Sequence, residues 1–264
     1  MAKIVSFYSY KGGVGRSLLL ANVAAALATT HRVACVDFDL EAGGLHTIFD
    51  VQASAIRVTA LDLLTATGTP VRLVDITDRL PESATGKLLL LPTISEIDKV
   101  AAVFNLGADL PMLLGQMIAA IERQYQPHYI LIDCRTGFSE LASPPIRKSE
   151  KIVCVLKPNR QNIEGIRRLL DLFASYPRRP EILTVLSQVP NTSDAAKQTK
   201  KLETALGSGR RFDVKIPYVP ELGWQETVVA ITAPTSALAQ QYGAITTWIQ
   251  TSGRQKMSRV RAHG

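Results

Sequence analysis

The sequence predicts an α/β protein with a doubly wound, mainly parallel sheet flanked by helices. Short apolar runs alternate with segments of helical periodicity from end to end, as in chains that wind each strand back through a helix. Several of those runs are apolar at every position rather than at every second one, the pattern of strands covered on both faces. The first run also passes through a glycine-rich turn straight into a strong helix former.

In chain order, the predicted strands are KIVSFYS (3–9), RVACVDFD (32–39), KLLLLPT (87–93), YILIDC (129–134), KIVCVLKP (151–158), EILTVLSQV (181–189) and FDVKIPYV (212–219). Helices are predicted between them over 16–29, 58–66, 110–125, 161–175, 193–206 and 234–251. The chain has 264 residues and is 46% hydrophobic, enough to bury a full core, and a single domain over 1–251 is expected. The tail TSGRQKMSRVRAHG is basic and poor in large apolar residues, so 252–264 are predicted to remain unfolded.

The net charge of +7 is uneven. Residues 1–130 carry 10 Lys and Arg against 12 Asp and Glu, whereas residues 131–264 carry 20 against 11. A basic C-terminal half suits either an anionic partner or ordinary solvated helix faces. Cys35, Cys134 and Cys154 each lie inside an apolar run and form no C-x-x-C pair, which reads as buried thiols rather than a metal or redox site. No apolar run approaches the ~20 residues of a membrane span, and the first residues lack the charged-then-apolar pattern of a leader. A cytoplasmic protein without membrane attachment is expected.

The segment YSYKGGVGRSLLLANVAAALA (8–28) holds the most specific signal. Glycines 12, 13 and 15 let the backbone curl so that successive N–H groups point inward, and the following helix adds the positive end of its dipole. Such a turn cradles a polyphosphate. Ser17 stands where the loop hydroxyl ligates magnesium, and Arg16 where the loop cation reaches the β- and γ-phosphates. The residues expected to enclose the phosphates are Lys11, Gly12, Gly13, Val14, Gly15, Arg16, Ser17 and Leu18. Tyr10 occupies the position of the first glycine of the usual pattern.

The run K-G-G-V-G-R-S resembles the deviant phosphate-binding loop of the ParA/MinD superfamily of P-loop ATPases, K-G-G-x-G-K-[ST]. The resemblance spans roughly residues 3–250 and is dense at three motifs. It implies that Lys11 reaches a partner subunit's bound phosphates, coupling ATP to homodimer formation. Arg16 departs from the family's lysine; it keeps the charge in a bulkier, planar form and puts the hydrolysis rate in question. The segment VDFDLEAGG resembles the family's paired aspartates and implies that Asp37 holds magnesium through water while Asp39 orients the attacking water. IDCRTG resembles D-x-x-x-G, implying that Asp133 holds magnesium through water and Gly137 senses the γ-phosphate. Arg135 in that segment suits a phosphate, a partner chain or a carboxylate such as Glu140. For the base, the resemblance points to Ser187 and to backbone between Pro217 and Glu221, notably Pro217 and Val219. Adenine itself is implied by the family and not by these residues.

Taken together, the resemblance implies a Mg2+-dependent, slowly hydrolysing ATPase with Lys11, Asp39 and Arg16 as its catalytic residues, acting as a switch on an unidentified partner protein. Non-specific DNA is a candidate partner through Arg167, Arg168, Arg178, Arg179, Lys197, Lys200, Lys201, Arg210 and Arg211. Two alternatives stay open: a weakly hydrolysing nucleotide sensor within a larger regulatory or defence assembly, and a metabolic ATP-dependent ligase or kinase. An iron–sulfur reductase built on Cys134 is disfavoured, because no second cysteine accompanies it.

Overall fold

The computed structural model describes residues 1–66, 68–175, 179–207 and 209–251. Among these, eight strands form one sheet: β1 (Lys3–Tyr8), β2 (Arg32–Phe38), β3 (Val74–Asp75), β4 (Lys87–Leu91), β5 (Tyr129–Cys134), β6 (Lys151–Leu156), β7 (Glu181–Val189) and β8 (Val214–Pro217). Their order is β3-β4-β2-β5-β1-β6-β7-β8, and every pairing is parallel except β3 with β4. Ten α-helices accompany them: α1 (Arg16–Ala28), α2 (Leu45–Ile48), α3 (Ala60–Thr65), α4 (Ile97–Phe104), α5 (Leu110–Tyr125), α6 (Ser143–Lys148), α7 (Arg160–Ala174), α8 (Ala195–Leu206), α9 (Val229–Thr232) and α10 (Ala237–Gln250).

The unbroken apolar runs become the central strands because both faces of the sheet are covered. Side chains on a strand alternate faces, so each run feeds two cores. On β5, Leu131 packs with Val5, Phe7 and the apolar residues of α1 and α10. Its neighbours Ile130 and Ile132 pack on the opposite face, with α3, α5 and α7. Leu131 has no exposed surface, and truncating it to alanine would cost about 2–5 kcal/mol.

The first strand lies at the centre, flanked by β5 and β6, with α1 on one face and α6 and α7 on the other. The connection from β1 runs through α1 toward β2, while that from β5 crosses through α6 to β6 on the other side, opening a crevice at the C-terminal strand ends, where open α/β sheets bind ligands. All seven predicted strands and all six predicted helices are present, with ends shifted by a few residues. Strand β3 and helices α2, α4, α6 and α9 are additions.

Helix α10 is fixed to the opposite pole of the sheet. Lys3, at the start of β1, donates to the carbonyl of Ile249 at 2.9 Å, and Lys151, at the start of β6, donates to that of Trp248 at 2.6 Å. Both ammonium groups satisfy carbonyls that a helix C-terminus leaves free and complement its dipole. Lys151 is almost fully buried, pairs with Glu181 at 3.4 Å and lies 4.4 Å from the Trp248 ring centroid.

Among the described residues no single helix is long and apolar enough to cross a membrane. The bent pair α4 and α5 has the composition for a span, but Leu110, Leu114, Met117, Ile118 and Ile121 of α5 are buried in the core. Arg178 and the basic tail 252–264 lie outside the described residues.

Candidate nucleotide site

The turn after β1 takes the shape its glycines permit. Gly13 and Gly15 have φ of 68° and 80°, and Gly15 is the N-cap of α1. A side chain at either position would be strained in this left-handed backbone, so the turn needs glycine to bring its N–H groups to the helix start. Gly12 and Gly13 are exposed and Val14 is buried, pinning the turn to the core beneath. No acidic side chain occupies the first turn of α1 to neutralise the positive end of its dipole.

Three carboxylates meet this turn at the ends of β2 and β5. Asp37 and Asp133 are directly opposite on those adjacent parallel strands, and Asp39 follows where β2 ends. Asp37 is fully buried, with Oδ2 accepting from the N–H of Gly44 at 2.9 Å and of Leu45 at 3.0 Å, and Oδ1 from that of Asp39 at 3.3 Å. Burial, reinforced by the charge of Asp133, pushes its carboxyl up to about 8 against those hydrogen bonds. Burial also raises Asp133, although Arg16 and the neighbouring Ser17 hydroxyl favour its charged form.

Arg16 is, among the described residues, the cation set among these acids. Its guanidinium is 6% exposed and donates through Nε to Oδ1 of Asp133 and through Nη2 to Oδ2 of Asp39 at 2.9 Å, with Nη1 3.4 Å from the Ser9 hydroxyl. Burial works against its charge, but Asp133 and Asp39 prevail and hold the group above the usual arginine range. The sequence pattern points this side chain at phosphates; in the folded chain it lies on the two carboxylates.

The turn and Asp39 form one wall of a cleft of about 1100 Å³, with Asp37 and Asp133 buried outside its lining. Leu18, Ser187, Pro217 and Val219 also line it, so the residues marked for the base stand on the same cleft as the phosphate turn. Ser187 is buried and Pro217 and Val219 are half-buried. Lys11 is exposed beside the turn, its Nζ 5.7 Å from the centroid of the Tyr10 ring. Gly137 takes a φ of 78° and its N–H donates to the carbonyl of Ser9 at 3.2 Å, which ties the segment after β5 to the turn after β1.

Some features of the site follow only from the folded chain. Gln188, with φ of 56°, donates from Nε2 to the carbonyl of Gly13 at 3.2 Å and braces the turn from β7. Arg135 pairs with Glu41 at 2.6 Å and lies over the Phe104 ring, so its carboxylate partner is Glu41 and not Glu140. Trp224 is 91% exposed on the far wall of the cleft. Cys134, buried and with its thiol pushed up to about 12 by that burial, presents no ligand at the surface.

The oxygen-rich donor set suits a small divalent cation. Asp133 Oδ2 is buried without a hydrogen-bond partner, the Ser17 hydroxyl is adjacent, and Asp39 lies nearby. Among the described residues no three Asp, Glu, His or Cys side chains converge on a metal position. Magnesium needs no such cage, since one or two carboxylates with water and substrate phosphates suffice. The residues therefore fit Mg2+.

A glycine turn at the end of the first parallel strand, opening a helix and facing strand-end aspartates, defines a P-loop nucleotide-binding protein. A family model described as an AAA domain matches residues 2–181. The chain belongs to that family and to the ParA/MinD superfamily of P-loop ATPases. It is 27% identical over 172 residues to a Pseudomonas putida protein, covering 65% of this chain and 62% of that one. To the sporulation initiation inhibitor protein Soj of Bacillus subtilis it is 24% identical over 181 residues, covering 65% and 64%. The structure of the septum site-determining protein MinD of Pyrococcus horikoshii in complex with Mg-ADP superposes with a TM-score of 0.71 at 19% identity, covering 95% of this chain and 96% of that one. The chain thus spans less than two-thirds of the length of the curated relatives it matches, while the structural likeness covers nearly all of the fold.

Proposed function

We propose that the protein is an ATP-dependent molecular switch: it binds Mg2+-ATP in the cleft after β1, hydrolyses it slowly, and dimerises in the ATP state to position or regulate a partner. The observation that supports this most is the phosphate turn, with Gly13 and Gly15 in left-handed backbone at the start of α1, opposite Asp37, Asp39 and Asp133. The turn supplies N–H donors and a dipole end to the phosphates, with Gly12, Gly13, Val14, Gly15, Ser17 and Leu18 around them.

Ser17 would ligate Mg2+, with Asp37 and Asp133 holding it through water, and the ion would supply neutralising charge to the transferring phosphoryl group. Asp39, at the rim of the cleft, orients the attacking water. Ser187, Pro217 and Val219 take the base. Lys11, exposed and free of carboxylate partners among the described residues, extends to the phosphates of a second subunit. Such an arrangement suits ATP-driven association followed by release on hydrolysis.

Arg16 favours a second reading. Because its guanidinium bridges Asp39 and Asp133, turnover is slow enough that nucleotide occupancy itself is the signal, as in a sensor subunit.

Light scattering of the protein with ATP, ADP and no nucleotide tests the switch, alongside Lys11→Ala. A doubling of mass with ATP alone, absent in the variant, is the expected result. A mass indifferent to nucleotide would remove the dimer from the account.

A further inference from the structure

Arg16 does more than stand in for a lysine. Its fork spans two carboxylates on different segments, Asp133 at the end of β5 and Asp39 after β2, and the ion pairs are nearly sealed from solvent. A lysine at this position carries one compact ammonium and lacks the planar donors that reach both acids together. Asp133 is also a carboxylate assigned to the divalent ion, Asp39 stands beside it on the same guanidinium, and Asp133 Oδ2 is buried with no hydrogen-bond partner. An ion drawn to that oxygen meets Arg16 already on Oδ1 and on Asp39, where two like charges would stand within a few ångströms at low dielectric.

We propose that the Arg16 guanidinium is a tethered competitor of the divalent cation, keeping Asp39 and Asp133 closed to metal until the arginine side chain moves off them. The inference deepens the nucleotide reading and rests on it for its purpose, since a triphosphate both brings the ion and offers the guanidinium new anionic partners. It makes Arg16 a positioning residue that sets how strongly nucleotide affinity depends on magnesium. The competition itself belongs to the chain without nucleotide and is measurable there.

Titration with MnCl2 alone, followed calorimetrically, decides it for the wild type, Arg16→Lys and Arg16→Gln, each first checked for folding by circular dichroism. The two variants are expected to bind one Mn2+ at least about tenfold more tightly than the wild type. Asp39→Asn in the Arg16→Lys background is expected to abolish the gain. Wild-type affinity equal to that of the variants, or no gain in either, overturns the proposal. Arg16→Lys retains a positive charge between the acids, so it decides the matter if Arg16→Gln does not fold.

A second arm measures a fluorescent ATP analogue with Mg2+ and with EDTA. Less than about a threefold difference is expected for the wild type and more than about tenfold for Arg16→Lys; equal magnesium dependence in the two also overturns the proposal. If no variant binds the analogue under either condition, the nucleotide reading falls, while the Mn2+ titration still decides the competition.

Discussion

The ring of Tyr10 lies on Gly165 of α7: a Cβ built at residue 165 would stand 2.1 Å from Cδ1 and 2.2 Å from Cγ of that ring. The position that usually holds the first glycine of a phosphate turn thus holds an aromatic ring, and a glycine within a helix makes room for it. Glycine in a helix interior costs about 1 kcal/mol against alanine, which this packing offsets. Gly165→Ala is expected to destabilise the protein by about 1–3 kcal/mol through overpacking and to weaken nucleotide binding by displacing the turn. Tyr10→Ala in the same chain should restore most of the stability. Denaturant unfolding of the single and double variants measures both; additive losses would separate the two residues.

Asp39→Ala is expected to retain ATP binding and lose turnover, since the turn that binds phosphate is built from other residues. Filter binding and phosphate release read the two properties apart. Hydrolysis at the wild-type rate would place the water-orienting group elsewhere.

Asp37 gives a pH signature. A carboxyl raised in the folded chain from 3.8 to about 8 takes up a proton on folding between those values. Its contribution to stability is therefore complete below about pH 4 and is lost as the pH rises through about 8. Relative to Asp37→Asn, the wild type is expected to lose more than about 1 kcal/mol between about pH 6 and about pH 8, as urea unfolding would show. A constant difference would mean that Asp37 is ionised throughout.

Helices α7 and α8 pack together and leave Arg167, Arg168, Lys197, Lys200 and Lys201 exposed, whereas Arg210 is tied to Asp171 at 2.8 Å. A duplex of arbitrary sequence is expected to be retarded by the ATP-bound protein at low salt, with the effect fading as salt rises. Charge reversal at Lys200 and Lys201 should weaken it at least several-fold. An unshifted duplex at low ionic strength would exclude this partner.

The strands were legible because β1, β2, β5 and β6 are apolar on both faces. Two-residue β3 has no length over which a pattern can show. Helix α6 hides behind Pro144 and Pro145, which look like breakers but sit in its first turn, where proline is tolerated. The phosphate turn and the aspartates could be read from glycine spacing and strand ends. The partners of Arg16, the brace from Gln188 and the pairing of Arg135 with Glu41 could not, since each depends on segments far apart in sequence. Gly165 left one usable trace: a glycine inside an otherwise apolar-periodic helix implies close approach by a neighbour.

The anchoring of α10 by Lys3 and Lys151 fixes the place of residue 251. It lies where the strands begin, about 20 Å of strand away from the bend that follows Tyr8. A fluorophore or tether attached there would ride on the back of the molecule, leaving the cleft mouth and any face-to-face pairing across it unobstructed.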